Sequence, residues 1–334
     1  MKKLFLFSVA ALALGACSND EVISENTTAQ QPKEIAFTPY AQPNTRGQYA
    51  DLLATFPTDN FMEVKAYQTT PTAAAYFDKC TFSKSGDYWK GGQYWPLSAA
   101  KLNFFAVSGY GLTASHVTIA DELATATVVY TTGNSYSETT QSDIMYAFGR
   151  GEVTQSGNTL AFPSKVDMTF KHALALVDFE VMGYSATERT NITVNSIKLK
   201  GATYNGTLTL TNTNAATESG AVTTAVSWSA GDAITDGVAV HGISAGTAIT
   251  DAYQRIGDGL MVIPGTGFTS FVINYSLNGN SYDYEYTPSP AVSSTVAGNK
   301  YTYRITFKLH EIQINPDVTP WSNTNSDVTI VDVE

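Results

Sequence analysis

The sequence is poor in the residues that build catalytic and metal centres. Two cysteines and four histidines occur among 334 residues. No histidine lies near another histidine or a cysteine at the spacing of metal ligands. No nucleophile elbow, phosphate-binding loop or dinucleotide fingerprint is present. We therefore predict a protein that is not an enzyme and holds no metal or cofactor.

Two carboxylate patterns are weaker exceptions to this scarcity. Gly231-Asp232 and Asp236-Gly237 resemble part of a calcium loop, but their spacing does not match one, and Asp-Gly is common turn chemistry. A carboxylate pair for glycoside hydrolysis can come from distant residues, and no motif selects such a pair among the 30 acidic residues.

Positive charge is also scarce. The chain has 19 Lys and Arg against 30 Asp and Glu, for a formal net charge of −11, and charged residues make up only 15% of it. A surface this acidic repels phosphate groups, which argues against a nucleic-acid partner. Long helical periodicity is lacking, and Thr, Ser, Asn, Gly and Tyr are abundant, as is typical of β-rich extracellular proteins.

The N-terminus has the form of an export signal. Lys2 and Lys3 precede an apolar run, Leu4–Leu14, which is shorter than the roughly 20 residues that a membrane-spanning helix needs. Small residues then lead to Cys17, and Leu14–Cys17 resembles the lipobox of bacterial lipoproteins. We predict a signal peptide over residues 1–16 and a lipidated, palmitate-bearing Cys17, since stable anchoring takes more than one acyl chain.

Processing at Cys17 has three consequences. Loss of Lys2 and Lys3 brings the formal charge from −11 to −13. Cys80 is left without a disulfide partner in the chain. Residues 17–34 are mostly polar and are predicted to be a flexible tether to the cell outer membrane, with the body exposed at the surface.

The body is predicted to be all-β. Short runs rich in Val, Ile, Thr, Tyr and Phe alternate with Gly, Asn and Pro, which indicates strands. The predicted strands are Ile35–Phe37, Phe61–Tyr67, Leu102–Val107, Thr127–Thr131, Leu174–Val181, Ile192–Leu199, Thr207–Leu210, Leu260–Ile263, Phe271–Leu277 and Tyr301–Leu309. Gln48–Leu53 and Asp121–Thr125 are the candidate short helices.

A turn-like stretch near residues 155–165 predicts a boundary between two domains. We expect an N-terminal β-sandwich over residues 35–162 and a C-terminal β-sandwich over residues 163–334. Trp95, which precedes a proline, is predicted to pack in the first core and Trp321 in the second. His172 lies in an apolar stretch and is predicted to be a hydrogen-bonded core residue.

Four motifs lie in order over residues 35–321, behind the lipidation signal. They are Tyr94–Pro96 with Leu102–Ala106, Phe170–Ala175, Leu260–Pro264, and Tyr301–Ile305 with the run that continues to Trp321. Their order and spacing resemble the fimbrillin family, the subunits of type V pili and their relatives in gut and oral bacteria. The resemblance implies two transthyretin-like β-sandwich domains in tandem and a structural or accessory subunit of a fimbrium that supports cell adhesion.

The resemblance also implies assembly with other fimbrial subunits by β-strand exchange. In that scheme an arginine-directed protease removes the N-terminal segment, and Arg46, in a proline-rich exposed stretch, is the candidate processing site. The candidate donor strand is 327–333, with Val328 and Ile330 on one face and Val331 and Val333 on the other. The sequence leaves open whether this segment is donated or completes its own sandwich.

A second hypothesis is a monomeric surface lipoprotein that binds host or bacterial glycans or proteins. Such a protein needs an exposed aromatic platform, for which Tyr136, Tyr282, Tyr284 and Tyr286 are candidates. Because Tyr282, Tyr284 and Tyr286 share one face of a strand, the same pattern also fits a half-buried sheet.

Overall fold

The regular secondary structure of the described residues is almost entirely β-strand, as the composition predicts. The computed structural model describes residues 30–41, 62–109, 114–130, 143–289, 291–308 and 311–320. Within them, helix is confined to Ala186–Asn191 (α1) and to single 3₁₀ turns at Ala114–His116 and Asp121–Leu123. The second turn coincides with one predicted short helix, and the other, Gln48–Leu53, lies outside the described residues. No helix in these ranges is long and apolar enough to cross a membrane.

The strand bounds confirm the predicted runs and extend most of them. In chain order the strands are β1 (Glu34–Ala41), β2 (Met62–Thr70), β3 (Ala74–Ser85), β4 (Tyr88–Tyr94), β5 (Ala100–Ser108), β6 (Val117–Ile119), β7 (Thr125–Tyr130), β8 (Met145–Ser156), β9 (Thr159–Ala161), β10 (Val166–His172), β11 (Ala175–Gly183), β12 (Ile192–Lys200), β13 (Gly206–Thr213), β14 (Thr223–Ala230), β15 (Val238–Ala239), β16 (Thr247–Ala248), β17 (Gln254–Arg255), β18 (Leu260–Val262), β19 (Ser270–Leu277), β20 (Asn280–Tyr286), β21 (Asn299–Lys308) and β22 (Glu311–Pro320).

The first sheet closes on itself. Its order is β10-β1-β4-β3-β2-β5-β8-β9, and β10 also pairs with β8. The closure uses the two halves of β10, since residues 166–170 pair with β1 and residues 171–172 pair with β8. Strand β3 crosses between layers at the other side, pairing with β2 and then with β4. Seven strands therefore form a hydrogen-bonded ring, which leaves no free edge between β1 and its neighbours.

A four-stranded sheet, β14-β13-β7-β6, packs on this ring and joins distant parts of the chain. Strands β6 and β7 precede residue 163, whereas the β13–β14 hairpin follows it. Their apolar side chains belong to the same core cluster as the ring, as Val128 of β7 and Leu208 of β13 illustrate.

The tip of the β13–β14 hairpin is held against β5 and β8. The Asn103 side-chain amide donates to the Ala215 carbonyl at 2.6 Å, and Arg150 donates to the carbonyls of Gly220 at 2.5 Å and Thr217 at 3.2 Å. The Glu218 carboxylate accepts from the hydroxyl of Thr70 and, at 3.0 Å, from Lys101. These hydrogen bonds, led by that of Thr70, lower the pKa of Glu218.

A second pair of sheets encloses the second core. One has the order β17-β11-β21-β22 with β18 on β11, and the other has the order β15-β12-β19-β20 with β16 on β12. Phe179 and Tyr303 from the first sheet face Phe271 from the second, with ring centroids 5.1 and 5.0 Å from Phe271. This is the face-to-face packing of a β-sandwich.

The two cores are separate clusters of buried residues, and the first contains residues from both sides of the predicted domain boundary. Val166, Met168 and Phe170 of β10 belong to the first cluster, together with β13 residues. The second cluster begins at Ala175 in β11. The division at residues 162 and 163 stays a prediction.

Candidate functional site

Strand β1 is the element that completes the first ring. Its side chains alternate, so that Ile35 and Phe37 point inward and are fully buried, while Tyr40 points outward and is 47% exposed. It runs antiparallel to β4, with Phe37 opposite Trp89, and parallel to β10, with Phe37 opposite Val166. The pairing with β4 covers residues 34–37 and the pairing with β10 covers residues 37–41. The departure of β1 would therefore open the ring between β4 and β10.

An aromatic box surrounds the Phe37 ring. Phe37 meets Phe82 at a centroid distance of 4.9 Å and Phe104 at 5.2 Å, with interplanar angles of 70° and 80°. Trp95 packs edge to face against Phe104, with ring centroids 5.7 Å apart. Such edge-to-face pairs each contribute about 0.5–1.5 kcal/mol beyond the area they bury. Phe37 is thus the principal apolar anchor of β1.

Polar contacts fix the beginning of β1. The Glu34 carboxylate accepts a hydrogen bond from the Gly92 amide at 3.1 Å and lies 3.3 Å from the Lys90 ammonium. The Trp95 amide donates to the Lys33 carbonyl at 2.9 Å. Gly92 has a φ of +68°, a conformation that glycine adopts without strain. These contacts hold the start of β1 beside β4, where the pairing is irregular between Glu34 and Ala36.

A second contact holds the end of β1. The Lys165 ammonium lies 5.6 Å from the centre of the Tyr40 ring and donates to the Tyr40 hydroxyl at 3.2 Å. It also pairs with Asp167 at 2.8 Å. These hydrogen bonds, the one to Asp167 first, raise the pKa of Lys165. Because Lys165 is partly exposed to solvent, its contacts with Tyr40 and Asp167 stabilise the end of β1 only weakly.

The predicted site residues fall largely outside the described ranges. Arg46 follows the last residue of β1, Ala41, by five positions in the sequence. It lies outside those ranges, as do Cys17, Trp321 and the candidate donor residues Val328, Ile330, Val331 and Val333. Their roles stay predictions.

The two described core predictions are confirmed. Trp95 is 2% exposed and lies directly after β4. His172 is 5% exposed, and its Nδ1 lies 2.6 Å from an Asp143 carboxylate oxygen. Cys80 is free and partly buried, and burial, followed by the nearby Glu63 carboxylate, raises the pKa of its thiol.

The tyrosines proposed as a glycan platform are divided between surface and core. Tyr284 and Tyr286 are partly buried against the second core. Tyr282 is 46% exposed and stacks on Tyr275 at 5.8 Å. Tyr136 lies outside the described ranges, so the platform stays a prediction. In the described residues no three His, Cys, Asp or Glu side chains are placed to hold a metal ion.

Sequence reasoning missed the residues that seat β1. The pattern of β10 was available as a signal, because Val166, Met168, Phe170 and His172 alternate with polar residues at a strict period of two. The roles of Lys90 and Lys165 had no such signal, since isolated surface lysines are common and their partners come from distant strands.

Comparison with known proteins identifies the family. Residues 55–321 match the profile of the family described as Fimbrillin-like. This match spans well over half of the chain, so the protein belongs to the fimbrillin-like family, and the resemblance seen in the sequence is confirmed. No curated protein matches the chain.

Two solved structures share the fold. A protein described as a cell adhesion protein from Bacteroides uniformis aligns at 17% identity and a TM-score of 0.50, covering 86% of this chain and 99% of its own. A second protein described as a cell adhesion protein, from Bacteroides ovatus, aligns at 11% identity and a TM-score of 0.51, covering 89% of this chain and 100% of its own. A fimbrial protein from Bacteroides vulgatus aligns at 15% identity and a TM-score of 0.48, covering 86% and 99%.

Proposed function

We propose that the protein is a structural or accessory subunit of a fimbrium, which joins neighbouring subunits by exchanging strand β1 for a strand of another chain. The observation that carries the proposal is the position of β1. It closes the first ring, and it ends five residues before the candidate processing site Arg46. Cleavage there would leave β1 held only by its non-covalent contacts.

The departure of β1 would create a site that demands a replacement. The facing edges of β4 and β10 would be left with unpaired backbone groups. The places of Ile35 and Phe37, which are fully buried, would be exposed to water. Burying a side chain of this size contributes about 1.5–3 kcal/mol, so a strand that fills both places and pairs both edges binds by β-augmentation.

The segment 327–334 is the donor that we propose. Its first four residues, Asp327, Val328, Thr329 and Ile330, repeat the order of acid, branched aliphatic, small residue and large apolar residue found at residues 34–37. In this alignment Asp327 takes the place of Glu34, whose carboxylate lies 3.3 Å from the Lys90 ammonium. Val328 and Ile330 then point into the groove, and Val331 and Val333 point outward.

Family membership supports the remaining parts of the proposal. A lipid on Cys17 would anchor the protein in the outer membrane with its body at the cell surface. Its partners would be other fimbrial subunits, either copies of this chain or accessory chains. Adhesion to host or bacterial surfaces would then be a property of the assembled fimbrium.

The test is cleavage of the mature full chain with an arginine-specific protease. We expect filaments by electron microscopy and heat-resistant, high-mass bands on denaturing gels. Arg46→Ala is the matched control, because it retains every residue of the groove and removes only the cleavage site. Deletion of residues 327–334 should abolish assembly after cleavage. Wild-type protein that stays monomeric after confirmed cleavage would contradict the proposal.

A further inference from the structure

The box around Phe37 is shaped for an aromatic ring. Phe82 and Phe104 meet it from two directions, each near perpendicular, and all three rings are fully buried. Phe77 lies 6.1 Å from Phe82 and 6.3 Å from Phe104 and closes the wall. A branched aliphatic side chain at this place forfeits both edge-to-face contacts and leaves unfilled space, which a close-packed interior does not tolerate without loss.

The beginning of the groove adds a second requirement. The Gly92 amide and the Lys90 ammonium both face the Glu34 carboxylate. An incoming strand that places an acid here gains a charge-assisted hydrogen bond and is fixed in direction and register. The aromatic residue must then follow the acid by three positions, as Phe37 follows Glu34.

The proposed donor of this chain meets one requirement and fails the other. With Asp327 at the acid position, Ile330 falls in the aromatic box. With the opposite face inward, Val331 or Val333 falls there instead, and the acid is out of register. Neither arrangement supplies a ring.

We propose that Phe82 and Phe104 determine the specificity of the groove, and that its preferred occupant is the donor strand of a different fimbrial subunit. That strand carries an acid, a branched aliphatic residue at the next position and an aromatic residue two positions later. The inference rests on the proposed function, because it requires that the groove accept a foreign strand. Where such a subunit is present, its strand would displace segment 327–334 of a second copy from the groove. Without it, segment 327–334 binds more weakly but still joins copies of the cut protein.

The experiment uses the mature full chain cut after Arg46 and four fluorescent peptides of equal length. They are residues 34–41, residues 327–334, and the latter with Ile330→Phe or with Thr329→Phe. The matched control is Thr329→Phe, which adds the same ring on the opposite face of the strand, pointing away from the groove. This ring could enter the groove only if the strand turned over, which would bury the Asp327 carboxylate. Exchange of each peptide into the cut protein is followed by fluorescence anisotropy and gel filtration.

We expect the 34–41 and Ile330→Phe peptides to bind at least about tenfold more tightly than the native 327–334 and Thr329→Phe peptides. Equal binding of the native 327–334 and 34–41 peptides would overturn the specificity and leave strand exchange intact. If the 34–41 peptide itself does not exchange into the cut protein, strand exchange fails, and the specificity fails with it. All four peptides are compared on the same cut protein, so the order of their affinities can be measured without mutating Phe82 or Phe104.

Discussion

Phe37→Ala should strongly destabilise the uncut protein. The ring is fully buried and meets Phe82 and Phe104 at 4.9 and 5.2 Å. Truncation removes both edge-to-face contacts and leaves a cavity, and such changes cost about 3–5 kcal/mol. Because β1 lies between β4 and β10, the strands around the cavity have little room to close it. We therefore expect the loss in free energy of unfolding to fall within that range.

The free energy of unfolding is measured by urea denaturation, followed by far-ultraviolet circular dichroism and tryptophan fluorescence. Trp95 lies 5.7 Å from Phe104 and therefore reports on the box. The control is Tyr40→Ala on the same strand, where an outward ring is lost. Since the contact with Lys165 is exposed, this control should cost only about 0.5–1 kcal/mol. Similar losses in the two variants would refute the assignment of Phe37 as the anchor of β1.

Three further predictions test other parts of the structure. Cys17→Ala should leave the protein unlabelled by a fatty-acid probe in cells, and equal labelling of the variant would exclude this cysteine as the lipid site. Arg150→Met removes the guanidinium donors to the tip of the β13–β14 hairpin and leaves those of Asn103. Hydrogen exchange should rise over residues 214–220 and stay unchanged in β19; unchanged exchange at the tip would contradict the role of Arg150. The pKa of Glu218 is lowered in the folded state, so its stabilisation is present at neutral pH and lost as pH falls through the folded pKa. Glu218→Gln should therefore lower the urea midpoint at pH 7, and this difference should shrink as pH falls below about 4.3 and disappear below the lowered folded pKa. A pH-independent difference would argue against the ion pair.

The sequence predicts ten of the 22 described strands, because each of these ten carries its own local signal. Leu102–Val107 and Ile192–Leu199 are apolar or β-branched runs bounded by turn residues, and both are strands in the structure. The burial of Trp95 also follows from local pattern, since a proline ends the strand beside it. These features depend on neighbouring residues in the chain, which a sequence shows directly.

The arrangement of the strands depends on contacts between distant residues, and no local pattern encodes it. The pairing of β1 with β10 joins residues near 37 to residues near 166. The sheet that joins β7 to β13 links residues near 128 to residues near 208. The aromatic box likewise assembles Phe37, Phe82 and Phe104 from three strands, so the groove and its selectivity became visible only in the folded chain.

The most direct measurement of the central claim is the peptide content of the assembled polymer. Polymers formed after cleavage at Arg46 are purified, dissociated and analysed by mass spectrometry for the segment 34–41. Strand exchange predicts that this segment is present in cut monomers and missing from polymers, where another strand occupies its place. Polymers that retain segment 34–41 in equal proportion to the body would contradict the account.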